Sequence, residues 1–173
     1  MIGSYLIFAV LGFILISTFT AHYNQNYLEQ YYAAALRRES SQIADSFGNS
    51  YYRSELTLEE FQKQIAAVSS YLDADIYIVT TGGRVLITSE QYIRPSETES
   101  IKDFDILDFS GSNYSIGTFY DHYDDDVLTV YTPITRSYKV TCYAIICLPL
   151  SHITTLQYDL LNGFYLSLIF LLL

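Results

Sequence analysis

The hydrophobic pattern divides the chain into two apolar ends and a mixed middle. Residues 2–20 carry no charged side chain, and residues 160–173 are again uncharged. Because a membrane-spanning helix needs roughly 20 apolar residues, we expect residues 1–21 to form a first transmembrane helix. The second run is too short to span, at about 21 Å of helix for ~1.5 Å per residue. We therefore expect residues 159–173 to be the start of a second transmembrane helix that the chain leaves incomplete.

The first apolar run is interpreted as an anchor that stays in the protein. A cleaved signal peptide would have a basic start and an A-x-A-like cleavage site. No Lys or Arg precedes this run, and its boundary reads STFTAHY. The anchor interpretation is therefore favoured over a signal peptide.

Two helices are predicted after the first apolar run. The first covers about residues 22–47 and continues the membrane helix, because its apolar side chains recur at helical spacing. These side chains are Leu28, Tyr32, Leu36, Ile43 and Phe47. Their stripe fits two alternatives, packing on the sheet of the same chain or contact with a second copy. The second helix covers about residues 57–72 and opens on Thr57-Leu58-Glu59-Glu60, a capping-box pattern.

Five strands are predicted in the second half, and most of them are joined by short turns, which favours an antiparallel sheet. Their expected ranges are 76–80, 84–89, 114–120, 127–134 and 139–148. The first two flank Gly82-Gly83, and glycine tolerates the positive φ of a tight hairpin turn. Residues 90–113 are polar and acidic, so we expect a crossing loop with short helical turns. The predicted fold class is α+β, a five-stranded antiparallel sheet with helices before it.

Charge excludes one class of partner and draws attention to one segment. The net charge is −10, which argues against nucleic acid because phosphates require a basic surface. Residues 90–126 hold ten acidic side chains against Arg94 and Lys102. Cys142 and Cys147 lie five residues apart in one predicted strand and point to opposite faces. They are therefore expected to be buried thiols and not a disulfide.

The segment DHYDDD is the sharpest polar feature of the chain. Its carboxylates, Asp121, Asp124, Asp125 and Asp126, are of the kind that Ca²⁺ and Mg²⁺ prefer. A metal site at these residues is one interpretation. A solvated hairpin turn is another, and pH sensing through His122 is a third.

Tyrosines are abundant in the strand half of the chain. A tyrosine has an apolar ring and a polar tip, which suits the lining of a ligand pocket. The candidate pocket residues are Tyr114, Tyr120, Tyr131 and Tyr143. Ordinary core and interface packing is the favoured explanation of these tyrosines, and a ligand pocket is the alternative. No phosphate-binding loop, dinucleotide-binding motif or HExxH motif occurs, so no catalytic residue and no cofactor is predicted.

The order of these parts and two long stretches resemble a known family. The stretches are LTLEEFQKQIAAVSSYLDADIYIVTTGGRVLITS and YSIGTFYDHYDDDVLTVYTPITRSYKVTCYAIICLPLSHI. They resemble the helix-then-hairpin and the three closing strands of the extracytoplasmic PAS-like (single Cache) sensor region of bacterial sensor histidine kinases. The residue pattern of these stretches is most similar to that in kinases of clostridia-like Gram-positive bacteria.

The resemblance implies a fold, a location and partners. Residues 22–158 would form a PAS-like sensor domain outside the cell membrane, dimerise with a second copy and respond to a small ligand or a cation. Their signal would pass to a cytoplasmic kinase beyond residue 173 and from there to a response regulator. The alternatives are a chemoreceptor, a cyclic-dinucleotide enzyme or a free-standing membrane-tethered binding protein.

Overall fold

A computed structural model describes the backbone of residues 2–48, 57–90, 100–109 and 114–154. Most side chains of residues 2–25 and those of residues 108–109 are outside this description. Two helices, α1 and α2, precede five strands, β1 to β5. Their bounds are Ile2–Ser46, Leu58–Leu72, Asp75–Thr80, Val85–Thr88, Ser115–Gly117, Val127–Arg136 and Lys139–Pro149. The chain divides into two compact units, residues 32–150 and residues 1–31 with 151–173.

Helix α1 is one uninterrupted helix, as predicted for the passage out of the first apolar run. The C-terminal part of α1 buries a stripe against its own chain, with Leu36 3% exposed and Ile43 7% exposed. The Ser40 hydroxyl lies in that stripe and donates a hydrogen bond to the Ala144 carbonyl oxygen of β5 at 3.0 Å. At these positions the stripe therefore packs on the sheet of the same chain.

Helix α2 begins with the predicted capping box. The Glu60 amide donates to the Thr57 hydroxyl at 3.2 Å, and the Thr57 amide donates to the Glu60 carboxylate at 2.9 Å. The Thr57 hydroxyl also donates to the Glu60 carboxylate at 2.9 Å. The two hydrogen bonds from Thr57 to this carboxylate lower the pKa of Glu60, because they favour its charged form. The buried face of α2 contributes Phe61 and Ile65, and the Phe61 ring contacts Phe47 edge-on at 5.0 Å between centroids.

The five strands form one antiparallel sheet in the order β2-β1-β5-β4-β3. Strand β5 is central and pairs with β1 on one side and with β4 on the other, from Val127 opposite Pro149 to Arg136 opposite Lys139. Because side chains alternate along a strand, the sheet has two different faces. One face buries mainly aliphatic residues, which are Ile76, Ile78, Ile87, Leu128, Val130, Ala144 and Ile146.

The opposite face carries a second cluster, which we call the aromatic face. Its buried residues are Tyr77, Val79, Val85, Phe119, Val127, Tyr143, Ile145 and Cys147. Cys147 belongs to this face and Cys142 to the other, and both are buried free thiols, as expected. Burial raises the pKa of the Cys147 thiol to about 12, so this thiol is neutral at physiological pH.

The third strand is much shorter than the sequence predicted. Residues 114–120 were expected to form it, but β3 ends at Gly117. The next residues turn away because Phe119, Tyr120 and Asp121 all have positive φ, which no strand accommodates. The other strand bounds differ from expectation by two residues or fewer, and the short 3₁₀ helix Ile106–Phe109 fits the helical turns expected in the crossing loop.

The described residues cover the membrane predictions only in part. Among the described residues, no helix combines the length and the apolar character that a bilayer crossing requires. The expected second span at residues 159–173 lies outside the described residues. Both transmembrane segments stay predictions.

The turn between β1 and β2 shows why a glycine is needed there. Gly83 has a φ of +80°, and a Cβ atom added to it would lie 2.9 Å from the Phe104 Cβ. Its carbonyl oxygen accepts a hydrogen bond from the Ile101 amide at 2.9 Å. The close approach therefore packs residues 100–106 of the crossing loop over this end of the sheet.

Replacing Gly83 by alanine tests this close approach. We expect Gly83→Ala to lower the free energy of unfolding by roughly 1–3 kcal/mol, because it adds backbone strain and a steric clash. Chemical denaturation of the full chain measures the change. Gly82→Ala is the matched control, since a Cβ at Gly82 meets nothing within 4 Å. Equal stability losses in the two variants would contradict the packing described here.

Candidate functional site

Two segments cover the aromatic face of the sheet. The crossing loop contributes Ile101, Phe104 and Ile106, and the connection from β3 to β4 contributes Phe119, Tyr120 and Tyr123, in both cases by packing against the buried cluster. Phe104 lies 5.7 Å from Tyr120 and 6.4 Å from Tyr143 between ring centroids. The site is built between these segments and the sheet.

A left-handed turn shapes the second of these segments. Phe119, Tyr120 and Asp121 have φ values of 46°, 56° and 56°, and the left-handed conformation costs roughly 1–2 kcal/mol per residue other than glycine. Hydrogen bonds offset this cost. The amides of His122 and Tyr123 both donate to the Thr118 carbonyl oxygen at 3.1 Å. Strained backbone of this kind clusters at functional sites.

The side chains of the turn anchor it to its surroundings. The Tyr120 hydroxyl donates to the Asp105 carbonyl oxygen at 2.9 Å and accepts from the Asp105 amide at 3.2 Å. The Thr118 hydroxyl donates to the Asp121 carboxylate at 3.3 Å. The turn is therefore tied to the crossing loop as well as to its own backbone.

The space left between the turn, the crossing loop and the sheet is a cavity of about 210 Å³, which we call the main cavity. Its walls are Tyr77, Val85, Ser100, Ile101, Lys102, Phe119, Tyr120, Asp121 and His122. Pockets for drug-sized ligands usually measure roughly 300–1,000 Å³, so this cavity fits a small molecule. Apolar and aromatic walls with a few polar groups, here Ser100, Lys102, Asp121 and His122, are typical of a ligand site.

A second cavity of about 220 Å³ adjoins the first, and we call it the polar recess. It shares Tyr77 and His122 with the main cavity. Its walls are Asp75, Tyr77, Thr88, Ser89, Glu90, His122 and Tyr123. The two cavities lie side by side along the edge of the aromatic face.

A chain of hydrogen bonds crosses the polar recess. The Tyr123 hydroxyl donates to the Asp75 carboxylate at 2.7 Å, and the hydroxyl oxygens of Tyr77 and Tyr123 lie 2.8 Å apart. Since the Tyr123 proton is directed at Asp75, the Tyr77 hydroxyl is the donor to Tyr123. Burial raises the pKa of both tyrosines, so both hydroxyls stay protonated and serve as hydrogen-bonding groups.

The four predicted pocket tyrosines do not lie together in the structure. Tyr120 lines the main cavity. Tyr131 and Tyr143 contact each other edge-on at 6.3 Å and belong to the packing of the aromatic face. Tyr114 is half-buried just before β3 and lines neither of the two cavities. Ligand contact by Tyr114, Tyr131 or Tyr143 stays a prediction.

The predicted cation ligands are likewise dispersed. Asp121 lines the main cavity, whereas Asp124, Asp125 and Asp126 are exposed in the turn before β4. Within the described ranges, no three His, Cys, Asp or Glu side chains are disposed to hold a metal ion. Cation binding by these four residues stays a prediction without geometric support.

Sequence reasoning missed the residues that connect the two cavities. Tyr77 was not recognised because it lies within the apolar run of β1. Since it stands between Ile76 and Ile78 in the strand, its side chain had to face the opposite side of the sheet from theirs. His122 was weighed only as a pH sensor. Lys102 and Phe119 reach the main cavity through the crossing loop and the left-handed turn, which no local pattern in the sequence predicts.

Solved structures similar to this chain include sensory domains of a chemoreceptor and of a histidine kinase. The sensory domain of the Campylobacter jejuni chemoreceptor Tlp3 with isoleucine bound has a TM-score of 0.54 at 17% identity, covering 86% of this chain and 64% of that one. The sensor domain of the V. cholerae histidine kinase DctB has a TM-score of 0.50 at 11% identity, covering 82% and 59%. A domain of a sensory box/GGDEF family protein from Vibrio parahaemolyticus has a TM-score of 0.51 at 11% identity, covering 82% and 63%.

No protein-family model and no curated protein sequence matches the chain. The chain spans 64% of the length of the isoleucine-bound Tlp3 domain. Identities this low show a common fold and not a common ligand. The α+β fold of PAS-like sensor domains, expected from the sequence, is thereby confirmed.

Removing one hydroxyl tests the hydrogen-bond chain of the polar recess. We expect Tyr123→Phe to lower the free energy of unfolding by roughly 1.5–3 kcal/mol, the range for a hydrogen bond to a charged group. Thermal or chemical denaturation of the full chain measures the loss. Tyr138→Phe is the control, because Tyr138 is fully exposed at the tip of the β4–β5 hairpin. A Tyr123→Phe protein as stable as this control would contradict the assigned bond.

Proposed function

We propose that the chain is the signal-sensing module of a membrane receptor, and that the main cavity is where its small-molecule ligand binds. The observation that carries this proposal is the cavity itself, a half-open space between the sheet and two covering segments that is lined by both rings and polar groups. The fold shared with receptor sensory domains supports it. One of those domains has isoleucine bound, a ligand small enough for a cavity of this class.

The position of the main cavity suits the transmission of a signal. The left-handed turn that lines it leads through Asp126 into β4, and the Asp126 carbonyl oxygen accepts a hydrogen bond from the Leu150 amide at 3.0 Å. Leu150 directly follows β5 and begins the helical segment 150–154. A ligand that binds one arrangement of the turn more tightly would shift the population of arrangements and so reach the end of β5.

Membrane attachment is part of the proposal. Residues 1–21 form a first membrane-spanning helix, residues 159–173 begin a second one, and residues 22–158 lie outside the cell. Exposed apolar side chains support this, since Leu11 and Leu15 are 54% and 70% exposed on one side of α1. Tyr27 and Tyr31 follow at 60% and 61%, and tyrosine is enriched where a helix leaves the bilayer.

The output of the receptor is proposed from the neighbours of the fold. A histidine kinase that dimerises and phosphorylates a response regulator is the first choice, and the DctB sensor domain supports it. The second choice is a chemoreceptor or a cyclic-dinucleotide enzyme, supported by the Tlp3 and sensory box/GGDEF domains. The kinase itself would lie beyond residue 173.

A blocking substitution tests ligand binding in the main cavity. The full chain in lipid nanodiscs is screened by thermal shift against amino acids, small dicarboxylates and small amines. We expect at least one compound to raise the melting temperature of the unaltered chain. Ser100→Trp should abolish that rise, because Ser100 is an exposed residue at the cavity wall and an indole there fills the space.

The matched control places the same bulky side chain elsewhere. Ser70 is exposed on α2 and lines neither cavity on the aromatic face, so Ser70→Trp should retain the full ligand-induced shift. If both variants respond like the unaltered chain, the ligand does not bind in the main cavity. If no compound of the panel stabilises the chain, the proposed small-molecule function is contradicted.

A further inference from the structure

The polar recess is a site that the sensing role of the main cavity does not use. Two carboxylates, Asp75 and Glu90, line it, and no Lys or Arg is among its walls. Both carboxylates lie close enough to the Tyr77 hydroxyl to affect it. Burial raises the pKa of this hydroxyl, and the negative charges of both carboxylates raise it further. The recess therefore has a negative potential and favours a cation.

The walls of the recess also present aromatic rings. The His122 ring lies edge-on to Tyr77 at 5.8 Å and to Tyr123 at 5.3 Å between centroids. Tyrosine rings attract an organic cation through their electron-rich faces. This combination of rings and carboxylates differs from the all-oxygen cage that Ca²⁺ or Mg²⁺ requires.

The acceptor groups of the recess fit one kind of cation. Asp75 accepts the Tyr123 hydroxyl through Oδ2, and no described residue donates a hydrogen bond to its Oδ1. The Glu90 side chain is exposed and likewise receives no hydrogen bond from a described residue. Because Tyr77 donates to Tyr123, a lone pair of the Tyr77 hydroxyl oxygen stays available. Three acceptors match the three N–H donors of a primary ammonium group.

The geometry points to the polar recess as a binding site for a primary ammonium group, held by Asp75 and Glu90 against the rings of Tyr77 and Tyr123. The ligand is a small organic amine, because the recess measures about 220 Å³ and drug-sized pockets begin at roughly 300 Å³. The site lies beside the main cavity and shares Tyr77 and His122 with it. A ligand bound in the recess would therefore lie directly beside the left-handed turn.

Titration with n-butylammonium tests the site. The full chain in nanodiscs is titrated by ligand-observed NMR, with n-butanol as the uncharged counterpart. We expect saturable binding of the ammonium ion and none of the alcohol. Glu90→Gln should weaken the binding about two- to fivefold, the effect of losing a charge pair at an exposed site. Glu90 is exposed, so this change leaves the fold intact.

Further variants separate this site from the main cavity and from general attraction to an acidic protein. Asp124→Asn removes an exposed carboxylate outside the recess and should leave the affinity unchanged. Ser100→Trp should also leave the affinity for n-butylammonium unchanged. The proposal for the main cavity and the proposal for the polar recess can therefore fail independently of each other. Asp75→Asn should weaken binding as Glu90→Gln does.

Four results of the binding titrations would overturn the assignment. They are the absence of saturable binding, equal binding of n-butanol, equal weakening by Asp124→Asn and Glu90→Gln, and loss of binding in Ser100→Trp. Mg²⁺ serves as the competitor, and stoichiometric displacement of n-butylammonium by Mg²⁺ would indicate a metal site and also overturn it. Saturable binding that depends on Glu90 and survives Ser100→Trp supports it.

Discussion

The pairing of β5 with both β1 and β4 is the constraint on which the rest of the domain depends. Since β5 lies at the centre of the sheet, its alternating side chains contribute to both cores. Ala144 and Ile146 belong to the aliphatic face, whereas Tyr143 and Ile145 belong to the aromatic face. The same strand leads to Leu150, whose amide is bonded to Asp126 at the start of β4. A change on the aromatic face therefore has a short, hydrogen-bonded route to the segment that leaves the sheet.

The two faces of the sheet have different physical roles. The aliphatic face is closely packed, with Ile76, Ile78 and Ile146 fully buried, and close packing of this kind gives one rigid arrangement. The aromatic face is covered by a crossing loop and a left-handed turn and leaves two cavities between them. The turn carries strain of roughly 1–2 kcal/mol per left-handed residue, and hydrogen bonds to the Thr118 carbonyl oxygen and to Asp105 hold it in place. The cavities and the strained turn therefore lie on the same face of the sheet, opposite the closely packed one.

Local patterns in the sequence were enough to predict the elements but not the site. The capping box at Thr57, the Gly82-Gly83 turn and the β-branched runs of β4 and β5 each depend on neighbours in the chain, and each was predicted to within two residues. The end of β3 was wrong, because the positive φ values of residues 119–121 are imposed by tertiary hydrogen bonds such as that of Tyr120 with Asp105. Of the four predicted pocket tyrosines, Tyr120 lines the main cavity. Tyr77 and Tyr123 meet across 46 residues of sequence, and no pattern in a single sequence indicates such a contact.

The central claim is that a ligand on the aromatic face acts on the strained turn and, through it, on the end of β5. Amide hydrogen exchange of the full chain in nanodiscs measures this directly at three positions, the amides of His122, Tyr123 and Leu150, all of which are hydrogen-bonded within this region. With a stabilising compound present, we expect slower exchange at His122 and Tyr123 together with a changed rate at Leu150, while amides in the middle of α2 keep their rates. Slower exchange confined to the turn, or spread equally over α2, would contradict the proposed route from the cavity to the end of the sheet.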